Sequence, residues 1–349
     1  MSEFHQERNV RSITKLRKLV AELPPFCLTF FTGIENRTSP LTRMNYAYDL
    51  RIFFDFLITE TSDFPLDRIR DFSLSDLERV TGTHLELFLS YLSFYTFQGK
   101  QYTDGERAKA RKMSAVRSLF KYLFKKEMIS ANVTDRVEMP KIHEKEIIRL
   151  DVNEVVNLLN EAESGDMLTK AQQRFHKANR LRDVAILTLF LGTGIRISEL
   201  VGLNISDVDF ESRSFVITRK GGNRTVLYFS DEVAEALQNY LAFRAEKYPD
   251  CRDPALFLSL QEKRISLKAV QVLVKKYSRL ICPNKKITPH KLRSTYGTNL
   301  YRQTQDIYVV ADVLGHKDVN TTKKHYAAIS DDIRRRASTA VRLRDKEES

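Results

Sequence analysis

DVAILTLFLGTGIRISEL, residues 183–200, is the stretch on which the reading of the fold turns. The run from Val184 to Leu191 is wholly apolar apart from Thr188. It is far short of the roughly 20 residues a membrane span needs, so Asp183 to Leu191 predicts a buried helix. Gly192-Thr193-Gly194 ends that helix and leaves Arg196 just past a tight turn.

Downstream, Ser214 to Thr218 and Thr225 to Phe229 are rich in β-branched and aromatic residues and flank Lys220-Gly221-Gly222-Asn223. They predict a hairpin with Lys220 near its tip. Helices are expected at about Glu232 to Glu246, Ser266 to Leu280 and Pro289 to Tyr301, and upstream at Asp151 to Ala162. Between Val133 and Leu150 the apolar periodicity fades and Pro140 sits among charges, which predicts a linker. Such a linker would let two lobes close around a rod-shaped ligand. The stretch before it reads as helices throughout. Tyr46, Leu50, Phe53, Phe54 and Leu57 form one apolar stripe, introduced by Ser39-Pro40 as cap and first helical residue. Leu85, Phe88, Leu89 and Leu92 form a second, and Val116, Leu119, Phe120 and Leu123 a third. The expected fold is therefore mainly α with a small antiparallel β-sheet, in two domains. A helical domain would cover 1–137, a linker 138–150 and a second, α+β domain 151–349.

The 57 lysines and arginines exceed the 45 acids, giving a net charge of +12. That balance agrees with a nucleic-acid partner but is weak evidence alone. MSEFHQERNVRS at the N-terminus is polar and no apolar segment follows it, so no export signal is expected and the reading is cytoplasmic. Cys27, Cys251 and Cys282 are odd in number and far apart, which argues against a disulfide framework or zinc site and for reduced, mostly buried thiols.

A helix placed from about Glu106 to Lys126 carries Arg107, Lys109, Arg111, Lys112 and Arg117, with Lys121, Lys125 and Lys126 beyond. Most such faces are only solvated. The sharper reading is a helix that holds a duplex backbone, since basic side chains displace condensed counterions.

The chemistry lies in a set spread along the second lobe: Arg196, Lys220, His290, Arg293, His316 and, ten residues later, Tyr326. Cleaving a phosphodiester without metal requires several fixed donors around its non-bridging oxygens. Arginine suits this because its planar fork grips two oxygens and stays charged. His290 and Arg293 are about one helical turn apart and can face one phosphate. A tyrosine then supplies a nucleophile that keeps the cut strand attached. Singly, each residue has a plainer explanation: a surface ion pair, a hydrogen-bonded histidine, a surface tyrosine. The Gly192-Thr193-Gly194 turn lacks the Gly-Lys-Ser/Thr that would complete a nucleotide loop. The spacings of His290, His316 and His325 fit no familiar zinc pattern, so no metal and no cofactor are expected.

TGIRISEL at Thr193 to Leu200, Lys220 in its glycine-rich hairpin, HKLR at His290 to Arg293, LGH at Leu314 to His316 and then Tyr326 resemble the tyrosine recombinase family in order, spacing and context. Within it the chain is most similar to the Xer type, in particular the single-recombinase XerS branch. The resemblance implies a helical core-binding domain and a catalytic domain that clamp DNA. It implies that Arg196 and Arg293 clamp the scissile phosphate, with His290 and His316 as further donors. Lys220 would protonate the leaving 5′-hydroxyl, Glu199 would orient donors, and Tyr326 would form a 3′-phosphotyrosyl link, with neither ATP nor metal. Two departures stand out. The step from His316 to Tyr326 is one residue longer than usual, with Tyr296 as rival nucleophile, and Leu227 replaces a common proline.

The implied function is site-specific recombination of duplex DNA by a homotetramer on two sites, in resolution of chromosome dimers with an FtsK-like septal DNA translocase as partner. The tail Asp331 to Arg344 would dock on a neighbouring protomer. The alternatives are an integrase or excisionase of a mobile element, a type IB topoisomerase, and a non-catalytic DNA-binding regulator.

Overall fold

The structure, a computed structural model, describes residues 3–143, 148–219, 223–316 and Val319. The chain divides into two compact units, Glu3–Lys145 and Glu146–Ser349.

In the first unit α1 (Glu3–Ala21), α2 (Phe26–Gly33) and α3 (Pro40–Glu60) precede α4 (Leu74–Glu78) and α5 (Gly82–Tyr91). A hairpin of β1 (Tyr95–Phe97) and β2 (Lys100–Tyr102) then leads to α6 (Glu106–Lys125). The centre is α3, which packs against α1, α5 and α6. It starts as Ser39-Pro40 predicts: Ser39 Oγ accepts from the Thr42 N–H at 3.2 Å, and Pro40 fills the first turn, where no N–H is needed. Leu50, Phe53, Phe54 and Leu57 are buried along one stripe, and Tyr46 lies half-buried at its edge. Phe53 meets Phe88 edge-on at 5.2 Å, and Phe54 meets Phe72 at 5.1 Å. Each fully buried phenylalanine contributes on the order of 2–3 kcal/mol, so these rings carry the core of the unit.

The β1–β2 hairpin corrects the all-helical reading of this stretch. Its strands have three residues each, too few for alternation to register. Its turn passes through Gln98 and Gly99, both at positive φ, and glutamine is not a usual residue there. Tyr95 and Tyr102, paired across the strands, stack at 5.3 Å and hold it together.

The second unit contains α7 (Val152–Ser164), α8 (Lys170–Thr193) and α9 (Ile197–Gly202), then β3 (Val208–Asp209), β4 (Ser214–Thr218) and β5 (Arg224–Tyr228). It continues with α10 (Asp231–Lys247), α11 (Leu267–Ile281), α12 (Pro289–Thr304) and α13 (Ile307–Leu314). Helix α8 is the spine, packed by α7, α10 and α12. It begins at Lys170 rather than near Asp183, because Thr169 and Gln172 form a capping box that nucleates a polar first half no apolar run announces. At its middle the carboxylate of Asp183 is buried, yet takes hydrogen bonds from Arg182 at 2.8 Å, Lys276 at 3.1 Å and the Tyr277 hydroxyl at 3.1 Å. That shared acceptor offsets the desolvation of so much charge in a core.

The three strands form an antiparallel sheet in the order β3-β4-β5, with Ser214 opposite Tyr228 and Thr218 opposite Arg224. Leu227 pairs with Phe215 and both are buried. The Arg219 N–H donates to Asn223 O at 2.8 Å and closes the hairpin loop. Of the segment expected as linker, Met139 packs on the first unit's core, and the N–H of buried Leu150 donates to Thr295 Oγ1 in the second at 3.0 Å. All three cysteines are free thiols, Cys27 and Cys282 buried. Among the described residues no helix is long and apolar enough to cross a membrane.

Candidate active site

The site is built where three helix ends meet. Helix α8 stops at Gly194, which takes the left-handed conformation at φ +62° and donates its N–H to Phe190 O. A Cβ there would stand 2.4 Å from the Tyr296 ring and 2.9 Å from Leu314 Cδ2, so only glycine satisfies both the conformation and the approach. Two residues on, Arg196 caps α9. Its N–H donates to Glu199 Oε2 at 2.9 Å and its Nη1 to Glu199 Oε1 at 2.8 Å. Glu199 is itself buried, so one carboxylate fixes both the backbone and the guanidinium of Arg196. This is an orienting geometry.

Helix α13 opposes it. Asp306 caps its start, accepting the N–H groups of Tyr308 and Val309. Its end is a Schellman motif: Gly315 is left-handed at φ +60°, its N–H donates to Asp312 O, and the His316 N–H donates to Ala311 O at 2.9 Å. The Leu-Gly-His triplet is thus a helix stop that pins the backbone of His316.

A helix end leaves carbonyls without partners. Here three guanidiniums take four consecutive carbonyls, the first of which, Asp312 O, also accepts the Gly315 N–H. Arg219 Nη1 donates to Asp312 O at 3.2 Å and Nη2 to Val313 O at 2.8 Å. Arg293 Nη2 donates to Leu314 O, and Arg196 Nη2 to Gly315 O at 2.9 Å. Arg293 also donates to Gly194 O, which ties the α8 stop to the α13 stop. Positive charge at the negative end of a helix is favourable, and the partners pre-orient side chains that would otherwise lose much rotamer freedom on binding a ligand.

Arg293 is 5% exposed, on the inward face of α12, whereas His290 is exposed in the first turn of that helix. Tyr296 follows one turn after Arg293 bonds inward, its ring covering Gly194 beside Val310 and Leu314. Burial raises its phenol pKa, the wrong direction for a nucleophile. Of the predicted set, Arg196, Glu199, Arg293 and His316 come together around the α13 stop. Lys220, Tyr326, His325 and the tail Asp331 to Arg344 lie outside the described residues. Arg219 is the residue the sequence reading missed. Its only signal is its place beside Lys220, since its partners are backbone carbonyls far along the chain.

The basic helix requires correction. Lys112 does not face outward: it is 4% exposed and its Nζ donates to Asp104 Oδ2 at 2.6 Å. Arg111 is half-exposed but tied to the buried carboxylate of Asp49, and Arg117 donates to Val137 O. Lys109 reaches Ser93 Oγ at 2.6 Å, and Arg107 is exposed. Burial pushes the Asp49 carboxyl up to about 6, against the pull of Arg111 and Lys112. Four of these eight charges are thus held within the unit, Arg111 and Lys112 by its acids, Lys109 by a hydroxyl and Arg117 by a carbonyl, and the remaining outward-facing ones are Arg107 with Lys121, Lys125 and Lys126.

Two arginines anchored on adjacent peptides, beside a pinned histidine, can hold the oxygens of one phosphate group. Known proteins resemble this chain in sequence and in fold. The model of the phage integrase family matches residues 149–332. The chain is 35% identical to tyrosine recombinase XerC of Caldanaerobacter subterraneus subsp. tengcongensis, over 85% of this chain and 80% of that one. It is 29% identical to tyrosine recombinase XerS of Lactococcus lactis subsp. cremoris, over 94% of this chain and 97% of that one. In fold it is similar to the XerH site-specific recombinase bound to a palindromic difH substrate, with a TM-score of 0.65 at 19% identity over 86% of this chain and 80% of that one. A lambda integrase dimer bound to a core site gives 0.60 at 15% identity, over 85% and 92%.

Proposed function

Since the chain belongs to the phage integrase family of tyrosine recombinases, we propose that it cuts and rejoins duplex DNA at a specific site through a covalent tyrosyl intermediate, in the resolution of chromosome dimers. The observation that carries this reading is the convergence of Arg196 and Arg293, distant in sequence, on the adjacent carbonyls of Gly315 and Leu314.

The two guanidiniums grip the non-bridging oxygens of the scissile phosphate and neutralise the charge that builds at phosphorus. Each guanidinium has five N–H groups, so a phosphate is bound without the whole anchor being released. Glu199 keeps Arg196 aimed. His316 and His290 add donors. The Tyr326 phenol gives up its proton to solvent as its oxygen bonds to phosphorus and the P–O5′ bond breaks, and Lys220 gives an ammonium proton to the departing 5′-oxygen. The phosphodiester is exchanged for a phosphotyrosyl ester, so a 5′-hydroxyl from a second duplex reverses the step and no energy source is consumed.

The match to XerS along almost the whole of both chains supports the chromosomal role over mobile-element integration. In this reading the first unit is the core-binding domain, residues 1–137, and the second the catalytic domain, 151–349. Four copies assemble on two sites in the cytoplasm, the tail exchanges between protomers, and a septal DNA translocase sets the order of events. The test is a nicked suicide duplex bearing candidate sites. The wild type forms a covalent adduct that Tyr326→Phe, Arg196→Ala and Arg293→Ala do not. No adduct from the wild type on any site supports a non-catalytic binder instead. Relaxation of arbitrary supercoiled DNA by a monomer supports a topoisomerase.

A further inference from the structure

We propose that Arg219 is a positioning residue for the general acid, fastening the chain immediately before Lys220 to the end of α13, next to His316. The inference rests on the assignment of Lys220 as general acid made above.

Arg219 stands at the junction of two constraints. Its backbone N–H donates to Asn223 O at 2.8 Å. Its side chain crosses to a segment 93 residues away in sequence, donating to both Asp312 O and Val313 O. These are the carbonyls next to those held by Arg293 and Arg196, so the loop root and the two phosphate-gripping arginines share one anchor.

The fit is close. A Cβ on Gly315 would lie 2.0 Å from Arg219 Nη1 and 2.3 Å from its Cζ, so the guanidinium rests directly on the glycine that precedes His316. The same glycine thus serves the helix stop and seats Arg219.

The arrangement is also unfavourable in isolation. Arg219 Nε is buried without a hydrogen-bond partner. Burial and the neighbouring Arg196 charge oppose its protonated form, with Glu199 partly compensating. A position that leaves a buried donor unpaired beside another cation is one a sequence optimised for stability alone would avoid, and such departures gather at functional sites. Lysine would replace it only in part, since one ammonium does not span two carbonyls in a fixed plane.

The geometry separates two roles chemically. If Arg219 acts through Lys220, its loss matters only when the leaving oxygen needs a proton. A sulfur in place of the 5′-bridging oxygen leaves as a thiolate, because a thiol ionises near pH 8.5. The experiment compares single-turnover cleavage of the nicked duplex with and without 5′-bridging sulfur, for wild type, Arg219→Ala, Arg219→Gln, Arg219→Lys and Lys220→Ala, with thermal melting and duplex binding as folding controls. Arg219→Ala and Arg219→Gln are expected to slow the ordinary duplex by about 10- to 100-fold, short of the roughly 100- to 10,000-fold of a fully lost general acid because Lys220 is displaced and not removed, and the sulfur duplex by less than about fivefold. Arg219→Lys falls between them and the wild type, and Lys220→Ala is rescued in the same way. Equal losses on both duplexes by the Arg219 variants, with Lys220→Ala rescued, overturn the positioning role alone. Wild-type rates in Arg219→Ala overturn it as well. Failure of sulfur to rescue Lys220→Ala overturns the general-acid assignment, and the positioning role with it.

Discussion

Gly315 has two duties at the site, a left-handed backbone and a seat for the Arg219 guanidinium, and neither tolerates a side chain. Gly315→Ala is expected to destabilise the second unit by about 1–3 kcal/mol, from the strained φ and the displaced arginine, read as a lowered urea midpoint. Cleavage should fall further than stability, because His316 moves with the turn. Asp49 sets a pH dependence. Its folded pKa of about 6 lies above the unfolded 3.8, so its contribution favours folding fully below about pH 4 and is lost as pH rises through 6. Asp49→Asn removes that dependence. The variant should gain on the wild type by roughly 1–3 kcal/mol between pH 4 and pH 7.5 in urea unfolding, and an unchanged difference would mean that Arg111 already neutralises the carboxylate.

At the scale of elements, periodicity and caps made most of the helices legible. Ser39-Pro40 marks the start of α3 and Pro289 opens α12. The failures have physical causes. The first half of α8 carries no apolar run, and β1 and β2 are shorter than the period that would reveal them. The sequence of α6 shows a dense basic face but not its partners, because Asp49, Asp104 and the Val137 carbonyl reach it through tertiary folding. The helix accordingly divides. Lys112→Ala, which removes the ammonium from a half-buried Asp104 that keeps its hydrogen bond with Tyr95, is expected to destabilise the first unit by about 1–3 kcal/mol with little direct effect on DNA contacts. Arg107→Ala, on the exposed side, is expected to leave stability unchanged and to reduce the salt slope of duplex binding by about 1. Salt titrations of binding beside thermal melts separate the two.

In the whole molecule, the net charge of +12 and the division into two units were legible from composition and from the fading periodicity around Pro140. The places of Arg196, His290, Arg293 and His316 in the fold were legible as well, because they stand in sequence signatures that are also structural stops and starts: a left-handed glycine before Arg196, a Schellman glycine before His316, a proline-led helix at His290. Arg219 was not, since a side chain that bonds only to remote carbonyls leaves no pattern. In the proposed reaction this arrangement presents a phosphate to Tyr326. Its most direct measurement is digestion of the trapped protein–DNA adduct and mass-spectrometric identification of the peptide joined to the 3′-phosphate. The account predicts attachment at Tyr326 alone. Attachment at Tyr296, or at any other residue, would contradict it.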